Sequence, residues 1–198
     1  MPGKEYSFDN IFLKYKPQIH RYLSRLVGFD EAEDLTQEVF VKVNKALPNF
    51  HGRSKLSTWI YRIATNTAID KVRSPSFKRT KVFIPEQELI AEDENVGNDK
   101  KVLSMDQQII EKEMNECIRY FICHLPENYR TVLVLSELEC LKNKELAEIL
   151  DITLDTVKIR LHRARARLKK ELECHCDFYH TDDNQLACEP NKSTPEFK

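Results

Sequence analysis

Apolar residues recur at three- and four-residue spacing through most of this chain, and that pattern confines it to amphipathic helices before any motif is considered. Phe8, Ile11, Phe12, Tyr15, Ile19, Tyr22, Leu23 and Leu26 make the first stripe, with Pro17 placed to kink or break it and Gly28 to end it. Asp30, an N-cap with Glu33 in capping-box position, opens a second helix whose buried stripe is Leu35, Val39, Val43 and Ala46, and Pro48 stops it. After a loop over 49–55, a third helix runs from about Leu56 to Val72 with Trp59, Ile60, Ile63, Ala64 and Thr67 inward. These helices pack as one domain, residues 1–73. With only 4 glycines and 8 prolines in 198 residues, the chain has few of the turns that a sheet protein needs.

Residues 74–103 turn polar and acidic, carry two prolines and lose periodicity, which predicts a flexible linker. Ser104 with Gln107 is a second capping signature. It precedes a helix bearing Ile110, Met114, Cys117, Ile118, Phe121, Ile122 and Leu125, which Pro126 closes. Further helices are predicted over Tyr129 to Leu138, Asn143 to Leu150, and Thr153 to about Leu172. The fold class expected is therefore all-α: two small helical domains, 1–73 and 104–172, joined by a flexible linker and followed by a tail, 173–198.

The formal net charge of -1 hides a strong segregation. Lys and Arg gather over 55–81 and 158–170, in a chain that is otherwise acidic. The second basic segment lies on the later of two helices joined by a tight turn at Asp151, with Leu146, Ala147, Ile149 and Leu150 inward on the first and Val157, Leu161, Ala164 and Leu168 inward on the second. These are helix-turn-helix proportions, in which the second helix enters the major groove and later basic residues meet phosphates. On the third helix Arg62, Asn66, Ile69, Asp70 and Arg73 share the face opposite the core stripe, near Tyr61 and Phe50 in sequence. Amides, guanidinium groups and aromatics together suit unstacked bases. Asp34, Gln37, Glu38 and Val41 also share one face, polar apart from the valine.

No phosphate-cradling glycine loop, HExxH or nucleophile motif is present, so an enzyme is not expected. The start is polar without a signal-peptide core and no apolar run approaches the roughly 20 residues of a membrane span. A cytoplasmic protein without membrane insertion is expected.

AEDLTQEVFVKVNKALPNF followed by STWIYRIATNTAIDKVR closely resembles the second conserved region of bacterial extracytoplasmic-function (ECF) RNA polymerase sigma factors. LPENYRTVLVLSELECLKNKELAEILDITLDTVKIRLHRARARLKKEL is similar to their fourth region, and the two stand in the family's order. The resemblance implies a protein that binds core RNA polymerase and promoter DNA and directs transcription initiation for a restricted stress- or metal-responsive regulon, with an anti-sigma factor as a further partner. It implies polymerase docking through Asp34, Gln37, Glu38 and Val41. It assigns minus-ten recognition to Arg62, Asn66, Asp70 and Arg73. For the minus-thirty-five element it implies base contacts from Lys158, Ile159, His162 and Arg163, and phosphate contacts from Thr156, Arg160 and Arg165. The alternative is a helix-turn-helix regulator that acts without polymerase docking.

No cofactor is required by this activity. The tail nevertheless gathers Cys174, His175, Cys176, His180 and Cys188, which leaves two readings open: a soft-metal site, zinc or copper, on Cys174, Cys176 and Cys188 with His180 or His175, or a disordered polar tail whose thiols are incidental or redox-sensing. Residues two apart on a helix point to nearly opposite sides, so Cys174 and Cys176 can share a metal only where the helix has ended. Cys117, Cys123 and Cys140 fall among apolar helical positions and are expected as small core residues.

Overall fold

The structure, a computed structural model, describes residues 7–80, 105–181, 184 and 186–191. The Ser104 capping signature and the greater part of the expected linker lie outside the described residues.

Helix α1 (Phe8–Val27) runs without interruption through Pro17. Proline cannot supply the N–H that would bond the carbonyl of Leu13, but Leu13 is 74% exposed, so water can serve that oxygen and no break follows. Gly28, at φ 90°, closes α1 with its N–H on the Ser24 carbonyl at 3.0 Å, and α2 (Phe29–Ala46) begins at the next residue. Asp30 is thus inside the first turn and not the N-cap expected of it. One glycine in a conformation that side chains disfavour serves both helix ends, leaving no position for a separate cap. Asp30 and Glu31 still sit where the helix dipole favours negative charge.

A 3₁₀ turn (Leu47–Asn49) leads through a loop to α3 (Leu56–Arg73), whose buried face is Ile60, Tyr61, Ala64 and Ala68 with Thr58, Thr65 and Thr67. Trp59 and Ile63 are only half-buried, and Ala46 of α2 likewise. A short helix, α4 (Pro75–Thr80), stands at the start of the expected linker. Its cause is local: Ser74 Oγ accepts the Phe77 N–H at 3.3 Å, and Pro75 fits the first helical position, where no N–H is required.

The second domain comprises α5 (Met105–His124), α6 (Glu127–Leu133), α7 (Asn143–Leu150) and α8 (Leu154–His175). Leu133 passes directly into a π-helical turn, Val134–Leu138, so the single helix expected over these residues changes its winding midway. Between α7 and α8 Asp151 adopts the left-handed conformation (φ 54°, ψ 46°), and Thr153 Oγ1 caps α8 by accepting the Thr156 N–H at 3.2 Å. These two devices make the tight turn of the helix-turn-helix.

Past α8 the tail folds as an antiparallel hairpin, β1 (Cys176–His180) with β2 (Leu186–Pro190), in which Phe178 stands opposite Cys188. The Asn191 backbone N–H reaches the His175 carbonyl at 2.9 Å and its side-chain amide the Cys174 carbonyl at 3.0 Å, tying the strand end to the helix end. The two domains are helical as expected, and the hairpin adds a small sheet to them.

The domains are packed against each other. Val39, Ile60 and Ala64 of the first belong to the same continuous apolar cluster as Leu133, Leu146, Ile149 and Val157 of the second. At its edge Glu139, with a side chain only 3% exposed, accepts from Arg25 Nη1 at 2.6 Å and from the Tyr61 hydroxyl at 2.6 Å. Burial and the Glu139 carboxylate push the Tyr61 phenol well above its ordinary range, so it remains a donor.

Candidate nucleic-acid interface

Val157, Leu161 and Ala164 anchor α8 to the core, which turns the residues between them outward. Lys158, Ile159, His162, Arg163 and Arg165 are exposed, Ile159 by 51%. The other two expected contacts stand differently. Arg160 is half-buried, and the Thr156 hydroxyl lies 2.7 Å from Thr153 Oγ1 within the helix cap. Lys158 pairs with Asp155 at 3.3 Å and Arg165 with Glu137 at 2.6 Å. A shallow groove between Asn143 at the start of α7 and the middle of α8 is edged by Lys158, His162, Arg165 and Lys169. Four groups able to donate hydrogen bonds around one groove on an amphipathic helix suit a phosphate backbone with base edges beside it.

On α3 Arg62, Asn66, Asp70 and Arg73 are all exposed and share one face. Two of them are engaged by acids of the second domain. Arg62 lies 3.5 Å from Asp151, and Arg73 donates to both Glu127 carboxylate oxygens at 3.0 and 2.9 Å. Just before α3, Lys55 pairs with Glu145 at 2.8 Å. Hydrogen bonding and charge raise the Arg73 and Lys55 pKa values, and the Lys55 hydrogen bond lowers that of Glu145. Tyr61, considered with the exposed aromatics from its place in sequence, is 5% exposed and faces Glu139, because its ring fills the core between the domains. Phe50 packs on Trp59 with ring centroids 4.9 Å apart, so the aromatic pair at this surface is Phe50 with Trp59. The acids facing α3 were not identified from sequence. Glu145 carries a local signal, since it accepts the Lys142 N–H at 2.9 Å in a capping position, but nothing local points it at Lys55.

Burial of Leu35, Val39, Phe40 and Val43 leaves Asp34, Gln37, Glu38 and Val41 on the outside of α2. Val41 is 52% exposed beside these polar groups, and Glu38 pairs with Lys42 at 2.7 Å.

The cysteines are arranged otherwise than expected. Helix α8 continues to His175, so Cys174 is still helical and points to solvent, whereas Cys176 is the first residue past the helix and is buried. His180 is exposed as well. The thiol groups that converge are those of Cys117, Cys176 and Cys188, all within 4.8 Å of one another. Cys117, expected as a plain core residue of α5, therefore belongs with the tail. Cys140 is exposed with φ 52°, two residues past the π-helical turn, and is not a core residue either. Cys123 is half-buried, and burial pushes its thiol up to about 12.

The family model for sigma-70 region 2 matches residues 11–77, and that for sigma-70 region 4 matches residues 115–168. The ECF RNA polymerase sigma factor SigW of Bacillus subtilis is 34% identical over 175 residues, covering 86% of this chain and 91% of that protein. The ECF RNA polymerase sigma-E factor of Haemophilus influenzae is 30% identical, covering 86% of this chain and 90% of its own length. Among solved structures, the sigma factor RpoE from Bartonella quintana, crystallised with the anti-sigma factor NepR, superposes with a TM-score of 0.60 at 21% identity, covering 84% of this chain and 96% of that one. CnrH, solved with the cytosolic domain of CnrY, gives 0.59 at 18% identity, covering 84% and 88%. The relatives are initiation factors and not enzymes, and this chain, with region 2 on α1 to α4 and region 4 on α5 to α8, belongs to the sigma-70 family as an ECF sigma factor.

Proposed function

We propose that this protein binds core RNA polymerase through the outer face of α2 and carries it to promoters read by α3 at the minus-ten element and α8 at the minus-thirty-five element. The observation that carries this is the pairing of family and exposure. In both matched regions the residues expected to meet polymerase or DNA stand mostly on outer faces of helices whose opposite faces are buried. Asn66 is the leading base contact of region 2, and Lys158, His162 and Arg163 are those of region 4. Thr156, whose hydroxyl lies within the cap of α8, and half-buried Arg160 are, with Arg165, the phosphate contacts. The chemistry of phosphodiester formation belongs to the polymerase. A helix-turn-helix regulator acting without polymerase leaves residues 11–77 without a role.

The packed arrangement adds a condition. Lys55, Arg62 and Arg73 meet carboxylates of the second domain, on the same side of α3 that is to face DNA. For α3 to take up a promoter strand the domains must part, and the phosphates then replace Glu145, Asp151 and Glu127. The working site is the cytoplasm, and among the described residues no helix is long and apolar enough to cross a membrane. An anti-sigma factor is proposed as a partner that holds the domains together, supported by the two neighbours, both solved as complexes. The regulon is proposed to be narrow and responsive to stress or metal. Transcription by purified core polymerase from a panel of genomic promoters, with and without the protein, tests the function. Transcripts from a small promoter set that require the protein are expected, and none above the core-only background would contradict it.

A further inference from the structure

The tail hairpin folds back onto α5 and brings together three thiols from three separate elements. Cys117 lies on α5, Cys176 at the first residue past α8, and Cys188 on β2 opposite Phe178. Cys117 Sγ is 3.2 Å from Cys176 Sγ, and all three sulfurs lie within 4.8 Å of one another. Sulfurs bound to one ion at about 2.3 Å stand about 3.8 to 4.0 Å apart, so small side-chain movements convert the cluster into a ligand set. Cys117 and Cys176 are 8% and 3% exposed, in a small apolar cluster with Phe121, while half-buried Cys188 leaves a path from solvent. The neighbouring His175 ring stacks on Phe121 at 5.4 Å. Among the described residues the donor group contains sulfur alone.

We propose that Cys117, Cys176 and Cys188 bind one soft, thiophilic cation as a three-thiolate site, the class being cuprous or zinc ion. Each thiol gives its proton to solvent as its sulfur–metal bond forms, so one ion displaces three protons and affinity rises with pH. A cuprous ion is satisfied by three sulfurs, whereas zinc takes solvent as its fourth ligand. The ion clamps the last turn of α8 to α5 and to the hairpin, which makes the set of the promoter-reading helix dependent on the metal. Binding stands apart from the transcriptional role, and its test needs no promoter.

The experiment uses the full chain, reduced, stripped with chelator and loaded anaerobically with zinc or cuprous ion in separate arms. Native mass spectrometry gives stoichiometry, chelator competition gives affinity and X-ray absorption counts the sulfurs. One ion per chain with three sulfurs at about 2.3 Å is expected, and an added oxygen ligand in the zinc arm separates the two ions. Cys117→Ser should weaken binding by more than the roughly 100-fold that losing a ligand's hydrogen-bonding partner costs. Cys174→Ser and His180→Ala should bind as wild type does. The proposal is overturned if Cys117→Ser retains the ion, if Cys174→Ser loses it, or if the reduced protein takes up neither metal. Helical circular dichroism checks the variants, and should Cys117→Ser fail to fold, a count other than three sulfurs in the wild type overturns the site by itself.

Discussion

Helices α3 and α8 are both basic, amphipathic and anchored by buried aliphatic residues, yet their charges are spent differently. On α3 and its approach, Lys55, Arg62 and Arg73 face acids that lie 54 to 90 residues away in the other domain. On α8, Lys158 and Lys169 pair with Asp155 and Glu173 of the same helix, and Arg165 with Glu137 nearby, all within the second domain. The charges of the α3 surface are thus tied into the packing of the domains, and those of the α8 surface are not. A helix can be exposed and still be committed, if the partners of its charges come from a body that has to move.

The largest effect expected from breaking this difference is at Glu139, whose buried carboxylate joins the π-helical turn to Arg25 and Tyr61. Glu139→Ala takes the carboxylate from Arg25, which is 23% exposed and keeps the Leu138 carbonyl at 3.3 Å, and the acceptor from the Tyr61 hydroxyl, so a loss of about 3 kcal/mol, the low end for a broken buried pair, is expected, read as a lowered urea midpoint. A change under about 0.5 kcal/mol would mean that the carboxylate does not bind the domains together.

Arg163→Ala sharpens the other side of the comparison. It removes an exposed guanidinium from α8 and should weaken binding to a cognate minus-thirty-five duplex by about 1 to 3 kcal/mol while leaving the melting temperature within a degree or two. An unchanged duplex affinity would remove Arg163 from the reading face.

Smaller still is Asp151→Asn, which keeps a side chain that tolerates the left-handed turn and deletes the charge facing Arg62. Stability should fall by no more than about 1 kcal/mol, and less in high salt. Binding of single-stranded minus-ten DNA should strengthen in low salt, because Arg62 is released. Weaker binding would contradict the competition between acid and phosphate.

The Lys55 contact predicts a pH window. Glu145 has a lowered pKa and Lys55 a raised one, so their contribution is present between the ordinary carboxylate and amine ranges. It is lost as pH falls through the Glu145 value in the folded state and as pH rises through that of Lys55. A fluorescence-transfer pair across the domains should report opening at acid pH in wild type, and a flatter acid limb in Glu145→Gln.

Local structure was legible where it is decided locally. The extent of α7, the turn at Asp151, the outward faces of α2 and α3 and the break at Pro126 all follow from spacing and capping within a few residues. The same reasoning misplaces the start of α2, because Gly28 does two jobs at once, and assigns residues 74–80 to an irregular linker, whereas Pro75 opens a helix. Contacts between distant segments carried no comparable signal. Cys117 reads as one more apolar position on α5, and nothing nearby says that the hairpin 59 residues on brings Cys176 against it. Glu139 lies just past the π-helical turn with no local mark of the arginine 114 residues before it. Charge and thiol chemistry were therefore visible as composition, and their partners emerged only from the packing.

The proposal that polymerase docking and promoter reading occupy different outward faces of one chain is open to test by co-purification with core RNA polymerase. Wild type and Arg163→Ala should both be retained, whereas Asp34→Arg combined with Glu38→Arg, exposed positions whose change leaves the helical circular dichroism intact, should not be. Retention of the double variant at the wild-type level would contradict the claim.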